Sequence, residues 1–210
     1  MVKLQTSLLP LLNTVSGKER KNQTYLHNSL LNLLQQSRRR FLLTHSINDI
    51  KYMEYQPALI NAARTGDIAF IKAVLDDGVN TNINDEKGYT PLIIACYNNQ
   101  LDAAKLLIEA GADVNAADIG GNTALMGVCF KGYPDIAKLL IEKGADLNLQ
   151  HGNGGTALMF ATMFGRNELV KLMLAAGADP YIKEFRGLTA LDLAIQQGNK
   201  EAAELLDSQT

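Results

Sequence analysis

The sequence predicts an all-α solenoid: about five stacked helix-turn-helix units joined by hairpin loops, with a helical extension at the N-terminus. Two registers predict it. Thr90, Thr123, Thr156 and Thr189 recur every 33 residues, opening the words TPLIIA, TALMGV, TALMFA and TALDLA, and Gly78, Gly111, Gly144 and Gly177 recur at the same interval. Within each period two apolar stretches at helical spacing are separated by a turn residue.

Residues 1–52 are set apart by charge. The first 48 residues carry seven Lys/Arg against one acid, Glu19, giving about +6, so the rest carries about −8 within a net charge of −2. Their segment TYLHNSLLNLLQQSRRRFLL, residues 24–43, puts Leu26, Leu30, Leu33 and Leu34 on one helical face, with Phe41 continuing it. Arg38, Arg39 and Arg40 fall near the end of that expected helix, where its dipole favours cations. It would cap the first repeat, or tether the chain to an anionic membrane or to nucleic acid. Three adjacent arginines point around a helix, however, and leave no one-sided phosphate footprint. Translation beginning at Met53 would also give a self-sufficient start, MEYQPALINAARTGD.

The leucines after Lys3 are interrupted by Pro10 and polar residues, a weak secretory or transit signal, and no run approaches the roughly eighteen apolar residues of a membrane span. The expected location is cytoplasmic.

The repeat domain, 53–210, divides into units of about 56–88, 89–121, 122–154, 155–187 and 188–210. The first is degenerate: one period before Thr90 stands Pro57, in PALINAARTGD. The second shows the logic. Thr90 is a side-chain acceptor ahead of Pro91, which has no N–H to lose at a first helical position. Leu92, Ala95 and Cys96 share a face, and the helix ends near Asn99, where sibling units carry Gly66, Gly132, Gly165 and Gly198 to supply a left-handed cap. Leu101, Ala104, Leu107 and Ile108 then form a second amphipathic helix, stopped by Gly111 and followed by the polar loop ADVNAADIGGN. In the last unit polar and apolar residues interleave from Asn199 to Asp207, as an end-capping helix requires. The apolar flank of the first unit, by contrast, needs a cover from upstream.

The words GYTPLIIA, LDAAKLLIEAGADVNAAD and IAKLLIEKGADLN resemble the ankyrin repeat, and the resemblance covers residues 56–210. Where that family usually has His after Thr-Pro-Leu, this chain has Ile93, Met126, Met159 and Asp192, so a polar link between repeats is expected to be missing.

Catalytic chemistry finds no support. His27, His45 and His151 form no ligand or triad pattern, so neither a catalytic nor a metal site is expected. The glycines of GNGG and IGG lack the Lys-Ser/Thr ending of a phosphate loop and read as turn formers, and no cofactor is expected. Asp85, Asp118 and Glu184 recur at equivalent hairpin positions, and His151 reads as a turn residue. Cys96 and Cys129, one period apart, are expected to lie a layer apart as reduced core residues, too far for a disulfide.

The resemblance implies a protein partner, bound by the hairpin tips and the exposed face of each unit's first helix. Carried over by position, the first helices supply Ile94, Tyr97 and Asn98; Phe130 and Lys131; and Phe160, Met163 and Phe164. Equivalent positions in the first unit are Asn61, Arg64 and Thr65. The hairpins add Tyr89, Ile119, Asn122, Phe185 and Arg186. Tyr97, Phe130, Phe160, Met163 and Phe164 make an aromatic and Met strip of the kind enriched at interface centres, although the same spacing also suits core between repeats. The expected function is a non-catalytic scaffold, an adaptor or inhibitor, that binds a protein or peptide. The alternative is a module tethered through the basic N-terminal helix. No small-molecule substrate is expected.

Overall fold

The computed structural model describes residues 47–208, those before Tyr55 by backbone alone. The expected helix over 24–43, its arginines and two of the histidines therefore lie outside the described residues.

Among the described residues ten helices follow in order: α1 Ile47–Thr65, α2 Ile68–Asp76, α3 Pro91–Tyr97, α4 Leu101–Glu109, α5 Ala124–Lys131, α6 Pro134–Glu142, α7 Ala157–Met163, α8 Asn167–Ala175, α9 Ala190–Gln197 and α10 Lys200–Asp207. Among the described residues there is no strand, and one isolated antiparallel bridge joins Ala117 to Thr123. The inner helices α3, α5, α7 and α9 pack in sequence, and the outer helices α2, α4, α6, α8 and α10 form a second row behind them. This is the predicted all-α solenoid.

Each inner helix starts as the sequence requires. The Oγ1 atoms of Thr90, Thr123, Thr156 and Thr189 accept the backbone N–H of Ile93, Met126, Met159 and Asp192 at 3.2–3.4 Å. Ile93, Met126 and Met159 are buried, so the positions where a polar link was missed are filled by apolar packing. Asp192 does something else. Its Oδ2 accepts both the backbone N–H and the hydroxyl of Thr189 at 2.8 Å, closing a capping box. The backbone and side-chain hydrogen bonds from Thr189, with Lys183 nearby, hold the Asp192 carboxyl below its ordinary value. A depressed folded value contributes stability that is present above the unfolded value, near 4, and is lost as pH falls through the folded one. Asp192→Asn keeps an acceptor without the charge. Urea midpoints should therefore separate the wild type from this variant at neutral pH, and the gap should close below about pH 4. A gap unchanged at acid pH would contradict the assignment.

The helix ends also match. Asn99, with φ of 58°, is the one non-glycine in the left-handed region among the described residues, and it stands where its siblings Gly66, Gly132, Gly165 and Gly198 take φ between 66° and 87°. Asparagine is the side chain best able to accept that conformation.

The first unit departs from expectation. The register places a helix start at Pro57, but α1 begins at Ile47 and carries Pro57 in its interior. Pro57 itself stands where the other units carry the capping threonine, and no glycine between Ile47 and Gln56 halts the chain, so the helix continues through at the loss of one N–H donor.

An asparagine ladder joins the layers. The Oδ1 atoms of Asn82, Asn115 and Asn148 accept the N–H of Asp113, Asp146 and Asp179 in the next layer at 2.7–2.9 Å. Their amides on Asn82 and Asn115 also donate to Gly111 and Gly144 carbonyls. The inner-helix ends are tied similarly: Gln100 donates to the Arg64 carbonyl, Arg166 Nε to that of Phe130, and Asn199 to that of Thr162. Cys96 and Cys129 are buried and free, and burial pushes both thiols up to about 12. No helix among the described residues is long and apolar enough to cross a membrane.

Candidate partner-binding face

The hairpins before each inner helix are built on one device. Asp85, Asp118 and Glu184 each direct a carboxylate oxygen at two backbone N–H groups of their own turn: those of Lys87 and Tyr89, Gly120 and Asn122, and Arg186 and Leu188, at 2.8–3.2 Å. His151 holds the same register position in the fourth hairpin, and its Nδ1 accepts the N–H of Asn153 at 3.2 Å. Turn carboxylates thus serve architecture, as the spacing predicts. Burial acts to raise the Glu184 carboxyl, but the Arg186 and Leu188 hydrogen bonds outweigh it and leave the value lowered. Successive hairpins are laced by backbone bonds: Ile119 N–H to Lys87, Gly152 N–H to Gly120, and Phe185 N–H to Asn153, at 2.8–3.0 Å. The tips therefore hold a fixed spacing beside the inner helices.

The final turns of α3, α5 and α7 bring the predicted strip together. Phe130 stacks parallel to Tyr97 with centroids 6.2 Å apart and receives the edge of Phe164 at 4.5 Å. Phe160 continues the run, 6.5 Å from Phe164 and 5.2 Å from the His151 ring. The Lys131 ammonium sits 4.7 Å above the Tyr97 ring, a cation–π contact.

Two depressions flank the strip and share Phe160. One, of about 400 Å³, is lined by Tyr89, Tyr97, Asn98, Asn122 and Phe130, with Arg64 at its first-unit end. The other, of about 410 Å³, is lined by Met163, Phe185, Arg186 and His151. Gly127 keeps the first one open: a Cβ there would stand 3.3 Å from the Tyr97 ring.

The thirteen candidate residues do not stand alike. Tyr97 and Phe164 are exposed at 41% and 42%, Met163 is at the same level, and Phe130, Phe160 and Lys131 are half-buried. Ile94 is only 6% exposed; it is a core residue at the base of the first depression rather than a face residue. Asn98 and Asn122 lend their amides to local bonds, the first to the Ile94 carbonyl and the second to both Asp118 oxygens. Ile119 and Phe185, at 82% and 80% exposed, are the bare hairpin tips, and Arg186 pairs with Glu184 at 3.1 Å. Tyr89 is half-buried behind its hairpin.

What sequence reasoning missed is the involvement of His151 in this face. The signal was its place in the register of Asp85, Asp118 and Glu184, which required a side-chain acceptor there and so fixed the ring beside Phe160. Among the described residues no three His, Cys, Asp or Glu side chains gather as a metal site would.

The family described as Ankyrin repeats (3 copies) matches the chain over residues 21–118, 59–151 and 125–209. Comparison with curated proteins gives no match.

Proposed function

The chain belongs to the ankyrin-repeat family, whose repeats generally mediate protein–protein interaction and are typically non-catalytic, and from that premise we propose that it is a scaffold holding one protein or peptide segment along the strip from Tyr97 to Phe185. The observation that carries this reading is the pair of depressions joined through Phe160. Apolar walls and aromatic rings lie at the centre, with polar and charged side chains on the rim, the distribution of a specific protein interface. Tyr97, Phe130, Phe160, Met163 and Phe164 act as anchors, while Asn98, Asn122, Tyr89, Lys131 and Arg186 set orientation. Ile119 and Phe185 reach beyond the helices toward a partner. Ile94 supports them from below.

In such a site the scaffold acts as an adaptor or inhibitor by occupancy alone, since binding at an aromatic centre needs no covalent step. Met163→Ser with Phe164→Ser removes two exposed anchors without changing charge or substituting a core residue. Affinity capture with the full chain, read by mass spectrometry, should retain a protein on the wild type that the double variant loses, while helical circular dichroism is unchanged. A partner retained equally by both would overturn this placement of the site.

A further inference from the structure

We propose that the occupant of this face is an acidic, apolar segment: an apolar side chain seated in the depression between Tyr97 and Phe130, with neighbouring carboxylates directed at Arg64 and Lys131. The inference rests on the proposed binding face and adds its ligand chemistry.

The argument is one of charge at an apolar site. Like most described Lys and Arg side chains, Arg64 and Lys131 have no carboxylate within ion-pairing distance among the described residues, and what sets these two apart is place: Arg64 lines the first depression and Lys131 covers its Tyr97 ring. Both stand in the last turn of their helices, α1 and α5, where the dipole favours a cation. Arg64 lines the first depression, its side chain has no hydrogen bond or ion pair among the described residues, and its backbone carbonyl accepts from Gln100. Lys131 lies over Tyr97, with its ammonium against an aromatic face rather than a counter-ion. Among the described residues the first depression thus carries one unpaired cation in its wall, Arg64, and a second, Lys131, over its Tyr97 ring.

The one acid in that depression, Asp118, is committed: its oxygens accept the N–H groups of Gly120 and Asn122 and both contacts from the Asn122 amide. A basic segment would meet two like charges across apolar walls of low dielectric and gain no acceptor in return. A neutral segment would leave both cations partly desolvated and unpaired. A carboxylate-bearing segment satisfies both while its apolar side chain fills the space that Gly127 leaves open. Residues 49–210 carry a net charge of about −8, so this local reversal of sign is selective within the repeat domain.

The test selects ligands without presupposing one. The full chain is immobilised and challenged with a random library of short peptides, and recovered peptides are measured by fluorescence anisotropy at low and high salt. Wild type is compared with Arg64→Glu/Lys131→Glu and with the neutral Met163→Ser/Phe164→Ser variant. The expected result is recovered peptides of net negative charge containing a large apolar residue. Their binding should weaken about tenfold or more in the charge-reversed variant and at high salt, and should also weaken in the neutral variant. Peptides that lose affinity in the neutral variant but are basic or uncharged, and indifferent to charge reversal, would overturn this inference and leave the binding face standing. Recovery of no peptide sensitive to either variant would overturn both.

Discussion

Replacing Leu158 by alanine is expected to cost about 3 kcal/mol and to break the cooperativity of unfolding. Leu158 is 1% exposed and lies on α7, which packs against α5 on one side and α9 on the other. Its removal leaves a cavity in the middle of the stack. In a linear array each layer contacts only its neighbours, so a central defect weakens the interfaces on both sides of it. Leu206 on α10 is as deeply buried but sits in the last layer. Leu206→Ala deletes the same atoms and should fray the C-terminal unit without dividing the stack. Urea denaturation followed by helical circular dichroism distinguishes the two. Leu158→Ala should show a lowered midpoint with a broadened or two-step transition, and Leu206→Ala a smaller shift with an early, shallow loss. A single sharp transition for Leu158→Ala, shifted by less than that of Leu206→Ala, would mean the stack is held together elsewhere.

The fold was legible because its punctuation is chemical. A threonine before each inner helix must accept an N–H, and a residue tolerating positive φ must end it, so those positions announce themselves at a period of 33 even where Asn99 replaces glycine. The start of α1 was not legible from that register, because Pro57, at the threonine's place, is compatible with a helix start yet has no side-chain acceptor to cap one. The family match begins at residue 21, inside the segment the sequence reading set apart as an extension. Thr24, in TYLH, stands two steps of 33 before Thr90 and is the signal for it, masked by the intervening degenerate unit.

Less of the candidate face could be read. Position along a helix fixes direction but not depth: Ile94 and Phe160 occupy the same place in their units, yet one is core and the other half-buried. The difference lies in side-chain size against the neighbouring layer, which a repeat register does not encode. The asparagine ladder was equally hidden, since Asn82, Asn115 and Asn148 look like ordinary polar loop residues until the next layer's N–H groups are placed beside them.

Phe160→Ala is expected to produce the largest loss of binding, at least about 2 kcal/mol or roughly thirtyfold, because Phe160 alone lines both depressions. A ligand laid along the strip must cross this ring, and its removal takes away the wall that divides and supports two anchoring sites at once. The ring also packs near Phe164 and His151, so truncation will cost stability, but about 1–2 kcal/mol rather than the 3–5 typical of a fully buried phenylalanine. Two companions separate shape from stability. Phe160→Leu retains apolar volume, so it should restore most of the stability and only part of the affinity if the flat ring is what the ligand meets. Phe185→Ala, at an 80% exposed hairpin tip, should leave the urea midpoint within about 0.5 kcal/mol and isolate the contribution of the second depression alone. Affinity for a captured partner or selected peptide, measured beside the midpoint for each variant, decides the matter. If Phe160→Ala remains folded and binds as the wild type does, ligands do not bridge the two depressions, and the strip is a packing seam between repeats.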